Sequence, residues 1–267
     1  MVTPLSANSL DRTQTALAVS LARLSTAQRI NSAKDDAAGL AIASAMEAQL
    51  RSDTQAMRNI YDGLSLTSTA EGALGQASES LQRMRELSIQ AANGTNSASD
   101  RQAIQAEIDQ IRQGLGQLAE TTQFNGQKLL DGNFSSQVQA GAGVGDTRPL
   151  NIGNATPQSL GVAALDVTST DGAQNALQAL DGALTQVNGM RAEIGAVQAG
   201  LNSALANLQG TYENLAAAKS RIVDTDYAQE STNLNRSDIQ QQAAMQALKL
   251  YNANQASKLE LLGPTRG

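Results

Sequence analysis

Apolar positions recur along most of this chain with the period of a helix packed against other helices. Leu10, Leu17, Leu21 and Leu24 fall on one helix face at steps of seven, four and three. Pro4 is expected to hold the first few residues out of that helix. A second run carries Ile42, Met46, Leu50, Met57, Ile60 and Leu64, then resumes after Gly72 with Leu74, Ala77, Leu81, Met84 and Leu87. Read as one helix over 36–92, it is on the order of 85 Å long at ~1.5 Å per residue. Gly63, Gly72 and Gly75 are candidate bends, each costing about 1 kcal/mol against Ala. The turn formers at 93–97 end the run. Ser99 is the expected cap of a third helix, in which Ile104, Ile108, Ile111, Leu115 and Leu118 keep a four-three alternation.

From Thr121 the period changes. Phe124-Asn125-Gly126, Asp131-Gly132-Asn133 and the glycines between 141 and 145 read as turns, and residues 135–140 and 148–152 can pair as a β-hairpin. A long helical run then returns through Leu177, Leu180, Leu184, Val187, Ile194, Leu201, Leu205, Leu208, Tyr212, Leu215 and Ile222, with a mean spacing close to 3.5. The polar patch 224–227 interrupts it. A last segment, from Ser231 to about 262, carries Ile239, Ala244, Leu248, Tyr251, Leu259 and Leu262 before Gly263-Pro264 stops it.

The pattern predicts a mainly α fold: long antiparallel helices in coiled-coil or bundle layers, with a small β-hairpin near 135–152. The breaks divide the chain into 1–35, 36–222 and 223–267, so that the two ends form one domain around a larger central one.

Residues 29–40 sit where two helical runs meet. Ser32 reads as an N-cap and Asp35 as its capping-box partner, which alone accounts for both. Asn31, Lys34, Asp35 and Asp36 interrupt the outgoing seam, and Asp224 and Asp226 interrupt the returning one. These six are the candidate joint between the two domains.

Composition narrows the function. Aromatics are 2% of residues and there is no Trp, so the helices must pack closely through small side chains. The chain has no Cys and no His, which excludes disulfides, thiol catalysis, Cys/His metal sites and His-based triads. No apolar run approaches the roughly 18 residues of a membrane span, and the first residues lack the basic head and apolar middle of a cleaved signal. A net charge of −6 argues against a nucleic-acid partner. The carboxylate pairs Asp35/Asp36 and Asp224/Asp226 read as caps, so no catalytic, metal or cofactor residue is assigned and no enzyme is expected.

Energetics point to assembly instead. A buried Leu contributes roughly 1.5–3 kcal/mol, whereas ordering one residue costs on the order of 1–2 kcal/mol. A two-stranded pair of short terminal helices with Ala and Gln in its seam is therefore marginal alone. It gains stability when neighbouring copies bury its other faces.

Four blocks carry a resemblance. LARLSTAQRINSAKDDAAGLAIA, LQRMRELSIQAANGTNS, TTQFNGQKLL and NLAAAKSRIVDTDYAQE, in this order, resemble the signature blocks of bacterial flagellins. The resemblance implies a structural subunit that polymerises into the flagellar filament for swimming. It is secreted and extracellular, exported through the flagellar type III apparatus. The 1–35 and 223–267 segments become halves of an inner-core coiled-coil domain, with Leu10, Leu17, Leu21, Leu24, Ile239, Leu248, Tyr251, Leu259 and Leu262 packing the filament core. Residues 36–222 become the outer-core domain. Residues 165–173 stand where many relatives insert variable outer domains, so this is read as a short form. Implied partners are further copies of the chain, an export chaperone on the C-terminal segment, and hook-associated and cap proteins. Arg83, Leu87 and Glu107 match a surface read by the mammalian Toll-like receptor for flagellin. The alternative is the homologous hook–filament junction protein. Ala27 stands where relatives often carry Gly, which predicts a more continuously helical approach to Arg29.

Overall fold

A computed structural model describes residues 3–261 and Gly263, with side chains described over 8–258. Five helices account for most of the chain: α1 (Thr3–Thr26), α2 (Ala37–Ala92), α3 (Ala98–Thr121), α4 (Thr170–Val223) and α5 (Tyr227–Leu261). Four short strands lie between α3 and α4: β1 (Gln123–Phe124), β2 (Gln127–Lys128), β3 (Ser135–Gln139) and β4 (Thr147–Asn151). The expected mainly α class with a small hairpin is therefore the observed one. Contacts group the chain into two compact units, Met1–Leu50 with Glu213–Gly267, and Arg51–Tyr212.

Three local expectations need correction. Helix α1 already begins at Thr3, so Pro4 lies in its first turn; there its missing N–H has no intrahelical acceptor and its fixed φ suits the helix. The cap of α3 is Ser97 and not Ser99: the Ser97 hydroxyl accepts from the Asp100 N–H at 3.2 Å, and the Asp100 carboxylate accepts from the Ser97 N–H at 2.9 Å. Helix α5 starts at Tyr227, four residues before the expected Ser231, because Asp226 caps it.

In the Arg51–Tyr212 unit, α2 presents buried positions at alternating steps of three and four: 53, 56, 60, 63, 67, 70, 74, 77, 81, 84, 88 and 91. That is a coiled-coil period. Seven of those positions are small, namely Ala56, Gly63, Thr67, Ala70, Ala77, Ser88 and Ala91, and they are interspersed with Asp53, Ile60, Leu74, Leu81 and Met84. Ile42, which the sequence reading put on the seam, is 51% exposed. The glycines do not break the helix. Gly63 lies where the hairpin approaches: a Cβ there would meet Val138 Cγ2 at 3.0 Å, so the valine would have to shift to admit a side chain.

Side chains of α2, α3 and α4 form one core with the segment between β2 and α4. Strands β3 and β4 pair antiparallel from Ser135↔Asn151 to Gln139↔Thr147. Strands β1 and β2 make a second hairpin, unforeseen as paired strands, across Asn125 (φ 49°) and Gly126 (φ 79°). Two left-handed residues of this type give the turn whose twist matches paired strands.

The segment 152–169 is a strap drawn across α3. Ile152, Leu160, Val162, Leu165 and Val167 point into the core. Gln105 grips the strap with both ends of its amide, donating to Leu165 O at 3.0 Å and accepting from Val167 N at 2.8 Å. Arg112 donates to Ala163 O.

Two predictions follow from these local contacts. Gln105→Leu leaves a carbonyl and an N–H without partners, so it should cost roughly 1–3 kcal/mol of stability in chemical denaturation. The second concerns acid. Hydrogen bonds from Ser97 hold the Asp100 carboxyl below its ordinary 3.8, and those from Asn133 and Thr168 do the same for Asp131 and Asp166. A lowered folded value means stabilisation that is present above the unfolded value and lost as pH falls through the folded one. The denaturation midpoint should thus fall as pH drops below about 4. Ser97→Ala should cost about 1 kcal/mol at neutral pH and make that acid loss smaller.

Candidate assembly surfaces

The unit formed by the two chain ends is organised around a short backbone exchange. Helix α1 stops at Thr26, and Ala27 turns the chain with φ 56°. Gln28 then forms an isolated antiparallel bridge with Asp224. Arg29 N donates to Val223 O at 2.6 Å and Thr225 N donates to Ala27 O at 3.1 Å. The Arg29 guanidinium reaches Ile222 O at 2.6 Å, and Ile30 and Val223 are buried. The expected helical continuation through Ala27 is therefore corrected. Ala27 adopts the left-handed conformation that a terminating glycine takes without steric cost.

The six polar joint candidates lie at this place, and the hydrogen bonds that five of them make stay within their own segments. Asp35 accepts from Ser32 N and Ser32 Oγ at 3.0 Å each and from Asn31 N at 3.2 Å. These bonds, the one from the Ser32 hydroxyl first, hold its carboxyl below the usual value. They close a turn rather than start a helix, so Ser32 is not the cap of α2. That role falls to Asp36, whose Oδ1 accepts from Gly39 N at 2.8 Å. Gly39 has no room for a side chain, because a Cβ would lie 2.4 Å from Asp36 Oδ2 and 2.8 Å from Ile30 Cδ1. Asn31 donates to Gln28 O at 3.2 Å and Lys34 is exposed. On the returning side, Ser220 Oγ donates to Asp224 Oδ2 at 2.5 Å. Asp226 caps α5 by accepting from Ala228 N at 3.0 Å and Gln229 N at 3.1 Å. The residues that join the two segments, Ala27, Gln28 and Arg29, do so mostly through backbone atoms, which leave no side-chain signature.

Beyond the joint, α1 packs on α5. The least exposed positions of α5 recur at steps of four and three: Glu230, Leu234, Ser237, Gln241, Ala244, Leu248, Tyr251 and Gln255. Those of α1 include Leu10, Thr13, Leu17, Ser20 and Leu24. Leu10, Leu17, Leu24, Leu248 and Tyr251 thus lie half-buried on this seam, whereas Leu21 is 50% and Ile239 66% exposed on other faces. The side chain of Leu259 and the whole of Leu262 lie outside the described residues. Sequence reasoning missed the polar members of the seam. Ser20, Glu230 and Ser237 are buried, and Arg23 Nη1 lies 3.7 Å from Glu230 Oε2.

In the other unit, Arg83 pairs with Glu107 at 2.8 Å and with Glu86 at 3.2 Å, and all three are exposed. The Glu107 carboxylate, then Glu86, raises the guanidinium above its ordinary value. Leu87 is 2% exposed. Arg83 and Glu107 thus face solvent, whereas Leu87 is packed in the core.

No helix among the described residues is long and apolar enough to cross a membrane. The described residues contain no cluster of three or more potential metal ligands.

The profile of the bacterial flagellin N-terminal helical region matches residues 3–135, and that of the C-terminal helical region matches 177–262. The chain is 42% identical to a flagellin of Halalkalibacterium halodurans over 90% of its length and 89% of the relative's. The chain belongs to the bacterial flagellin family. A flagellar filament 30.7 kDa core protein of Treponema maltophilum is 38% identical, with 90% of each chain covered. A flagellin of Salmonella paratyphi A is 43% identical, but the chain spans only 38% of that relative's length. Among solved structures, Bacillus cereus flagellin matches at 33% identity and a TM-score of 0.53, covering 61% of this chain and 94% of that one. A putative flagellar hook-associated protein of Vibrio parahaemolyticus shares the fold at 19% identity and a TM-score of 0.61, covering 71% of this chain and 100% of that one. As a flagellin, the chain is a structural component of the flagellar filament.

Ala27→Gly should relieve the left-handed strain at the end of α1. A non-glycine residue there costs roughly 1–2 kcal/mol. The substitution should stabilise the terminal unit by about 1 kcal/mol, read as a higher midpoint in thermal denaturation. A loss of stability would mean that the Ala27 methyl, and not its backbone, matters.

Proposed function

We propose that this chain polymerises with copies of itself into a helical filament whose role is mechanical. The observation that carries the reading is the face that α5 leaves uncovered. Ile239 and Leu250 are 66% and 67% exposed on the side of α5 away from the seam that meets α1. Water contact on such residues is unfavourable by about 25 cal/mol per Å² of apolar surface. Neighbouring copies are the partners that cover it.

In that filament the terminal unit, with Leu10, Leu17, Leu21 and Leu24 and their α5 counterparts, packs around the axis and forms the inner core. The 36–222 region forms the outer core. The joint polar residues Asn31, Lys34, Asp35, Asp36, Asp224 and Asp226 adjust as the two layers shift. Support comes from their position beside a backbone exchange that holds the terminal unit together. The carboxylate pairs are occupied as caps and turn acceptors, which favours a non-catalytic chain. Export through a type III apparatus, an export chaperone on α5, and hook-associated and cap proteins at the filament ends complete the reading, with the extracellular filament as its location. A host Toll-like receptor would meet Arg83 and Glu107. The hook–filament junction alternative is less supported, because the solved hook-associated protein shares only the fold.

The decisive experiment is growth of filaments from purified protein at high concentration, followed by electron microscopy and sedimentation. Wild-type protein should form long filaments. Ile239→Asp with Leu250→Asp should raise the critical concentration at least tenfold and leave unfolding of the 51–212 unit unchanged. Unaltered polymerisation of that variant would remove the proposed role of this face.

A further inference from the structure

An Asn followed by Gly can react with itself. The glycine nitrogen, once deprotonated, adds to the side-chain amide carbon of the asparagine, since no glycine side chain shields it. The chain has three such pairs, Asn93-Gly94, Asn125-Gly126 and Asn188-Gly189. Two of them are held against the reaction. Asn188-Gly189 lies within α4, where the glycine N–H is engaged in the helix. Asn125, at φ 49°, forms the turn between β1 and β2, and closing a ring there would rotate its backbone away from the Phe124↔Gln127 pairing. The Asn-Ser pairs at two other corners are blocked differently. Ser32 N donates to Asp35 Oδ2 at 3.0 Å and Ser97 N donates to Asp100 Oδ2 at 2.9 Å, so neither nitrogen is available.

Asn93, at the corner between α2 and α3, differs on each count. Asn93, Gly94 and Thr95 are exposed, and Gly94 N donates to no group among the described residues. Asn93 O accepts from Asn96 N and from Arg101 Nη2, each at 3.2 Å. Arg101 is held there by a further bond from its Nε to Ala91 O at 3.0 Å. Both donors on Asn93 O stabilise the negative charge that the 93–94 peptide acquires when Gly94 N loses its proton. Asn93 Oδ1 accepts from Thr95 N at 3.1 Å, and the ring closed by this bond contains both Gly94 N and the amide carbon. The Thr95 N–H therefore faces the oxygen on which charge develops as the nitrogen adds, as a preorganised donor does in an oxyanion hole.

We propose that Asn93 is a self-modifying site, which Arg101 and the Thr95 N–H activate for conversion through a cyclic imide into Asp and isoaspartate. Base removes the Gly94 N proton, the nitrogen bonds to Asn93 Cγ, and the Cγ–Nδ2 bond breaks with Nδ2 leaving as ammonia. Water then opens the ring at either carbonyl, so one water is consumed for each ammonia released. The new carboxylate lies at the C-terminal end of α2, which disfavours negative charge, and Arg101 supplies the compensating cation. Opening at the main-chain carbonyl gives isoaspartate, which lengthens the backbone path at the corner by one carbon. The chemistry belongs to the single chain and does not rest on the filament reading.

The test ages the full-length chain at mildly alkaline pH in isotopically labelled water, either native or unfolded in guanidinium. Peptide masses after digestion report the oxygen incorporated at each Asn. Unfolded, the three Asn-Gly pairs should react at rates within about threefold of one another. Folded, Asn93 should react at least about tenfold faster than Asn125 and Asn188. Arg101→Gln should slow the folded reaction at Asn93 by at least about threefold and leave its unfolded rate unchanged, and Thr95→Pro, which removes the N–H, should do the same. Asn125 and Asn188 are internal controls, because a variant that unfolded would release them as well. An arginine that only stiffened the corner would give the opposite sign, since a loosened corner reacts faster. Equal rates at the three pairs in the folded chain overturn the proposal. So does a faster reaction in Arg101→Gln, or a rate at Asn93 indifferent to either substitution.

Discussion

The terminal unit depends on one short exchange of backbone hydrogen bonds, between residues 27–29 and 223–225. Two long helices, α1 and α4, both end there, and each leaves carbonyls that no further turn of helix can satisfy. The chain meets the need with an antiparallel bridge in place of two separate caps. Val223 O takes the Arg29 N–H, Ile222 O takes the Arg29 guanidinium, and Ala27 O takes the Thr225 N–H. Ala27 must go left-handed to bring this about. Asp36 and Asp226 can start α2 and α5 cleanly because the exchange has already fixed where those helices begin.

Small residues set the second constraint. Along α2 the seam alternates Ala, Gly, Ser and Thr with Ile, Leu and Met. Helix axes can then approach closely, and the larger side chains among them fill the remaining space. This is how a chain with two Phe and no Trp builds a continuous core. It also explains why Gly63 is tolerated in mid-helix. The entropic cost of about 1 kcal/mol is offset by the hairpin residue Val138 lying against the bare backbone.

Much of the fold could be read in the sequence, because long helices repeat their signal many times. The extent of α2, most of α4 and the pairing of β3 with β4 follow from periodicity and turn chemistry; the first turn of α4, before Leu177, and the strand register do not. What escaped has a common physical cause. A scan for large apolar residues assigned Ile42 to the seam and overlooked Ala56, Thr67 and Ala70, since burial at close helix contacts selects for size before hydrophobicity. Placing the caps at Ser32 and Ser99 used the right residue types one turn or two residues away from Asp36 and Ser97. Several polar candidates were in the right neighbourhood, but the joining atoms are backbone, which sequence cannot display. The strap at 152–169 shows neither a helix nor a strand period in its apolar residues Val162, Leu165 and Val167, because it carries no secondary structure of its own and relies on the Gln105 amide.

The seam of the terminal pair serves both folding and assembly. Leu10, Leu17 and Leu24 of α1 and Leu234, Leu248 and Tyr251 of α5 share it with Ser20, Ser237, Glu230 and Gln241, and none of those large residues is fully buried. That allocation leaves apolar residues on more than one side of the pair. The intrachain contact is held by half-buried leucines, a few buried polar groups and a backbone exchange, and Ile239 and Leu250 stay exposed. A marginal contact of this kind is far more responsive to the arrival of further copies than a saturated one, since each new apolar contact is a large fraction of the total. The same allocation accounts for the weak amphipathicity of α5. A helix that must satisfy its own partner on one side and other copies on the remaining sides has no single face to concentrate its apolar residues on.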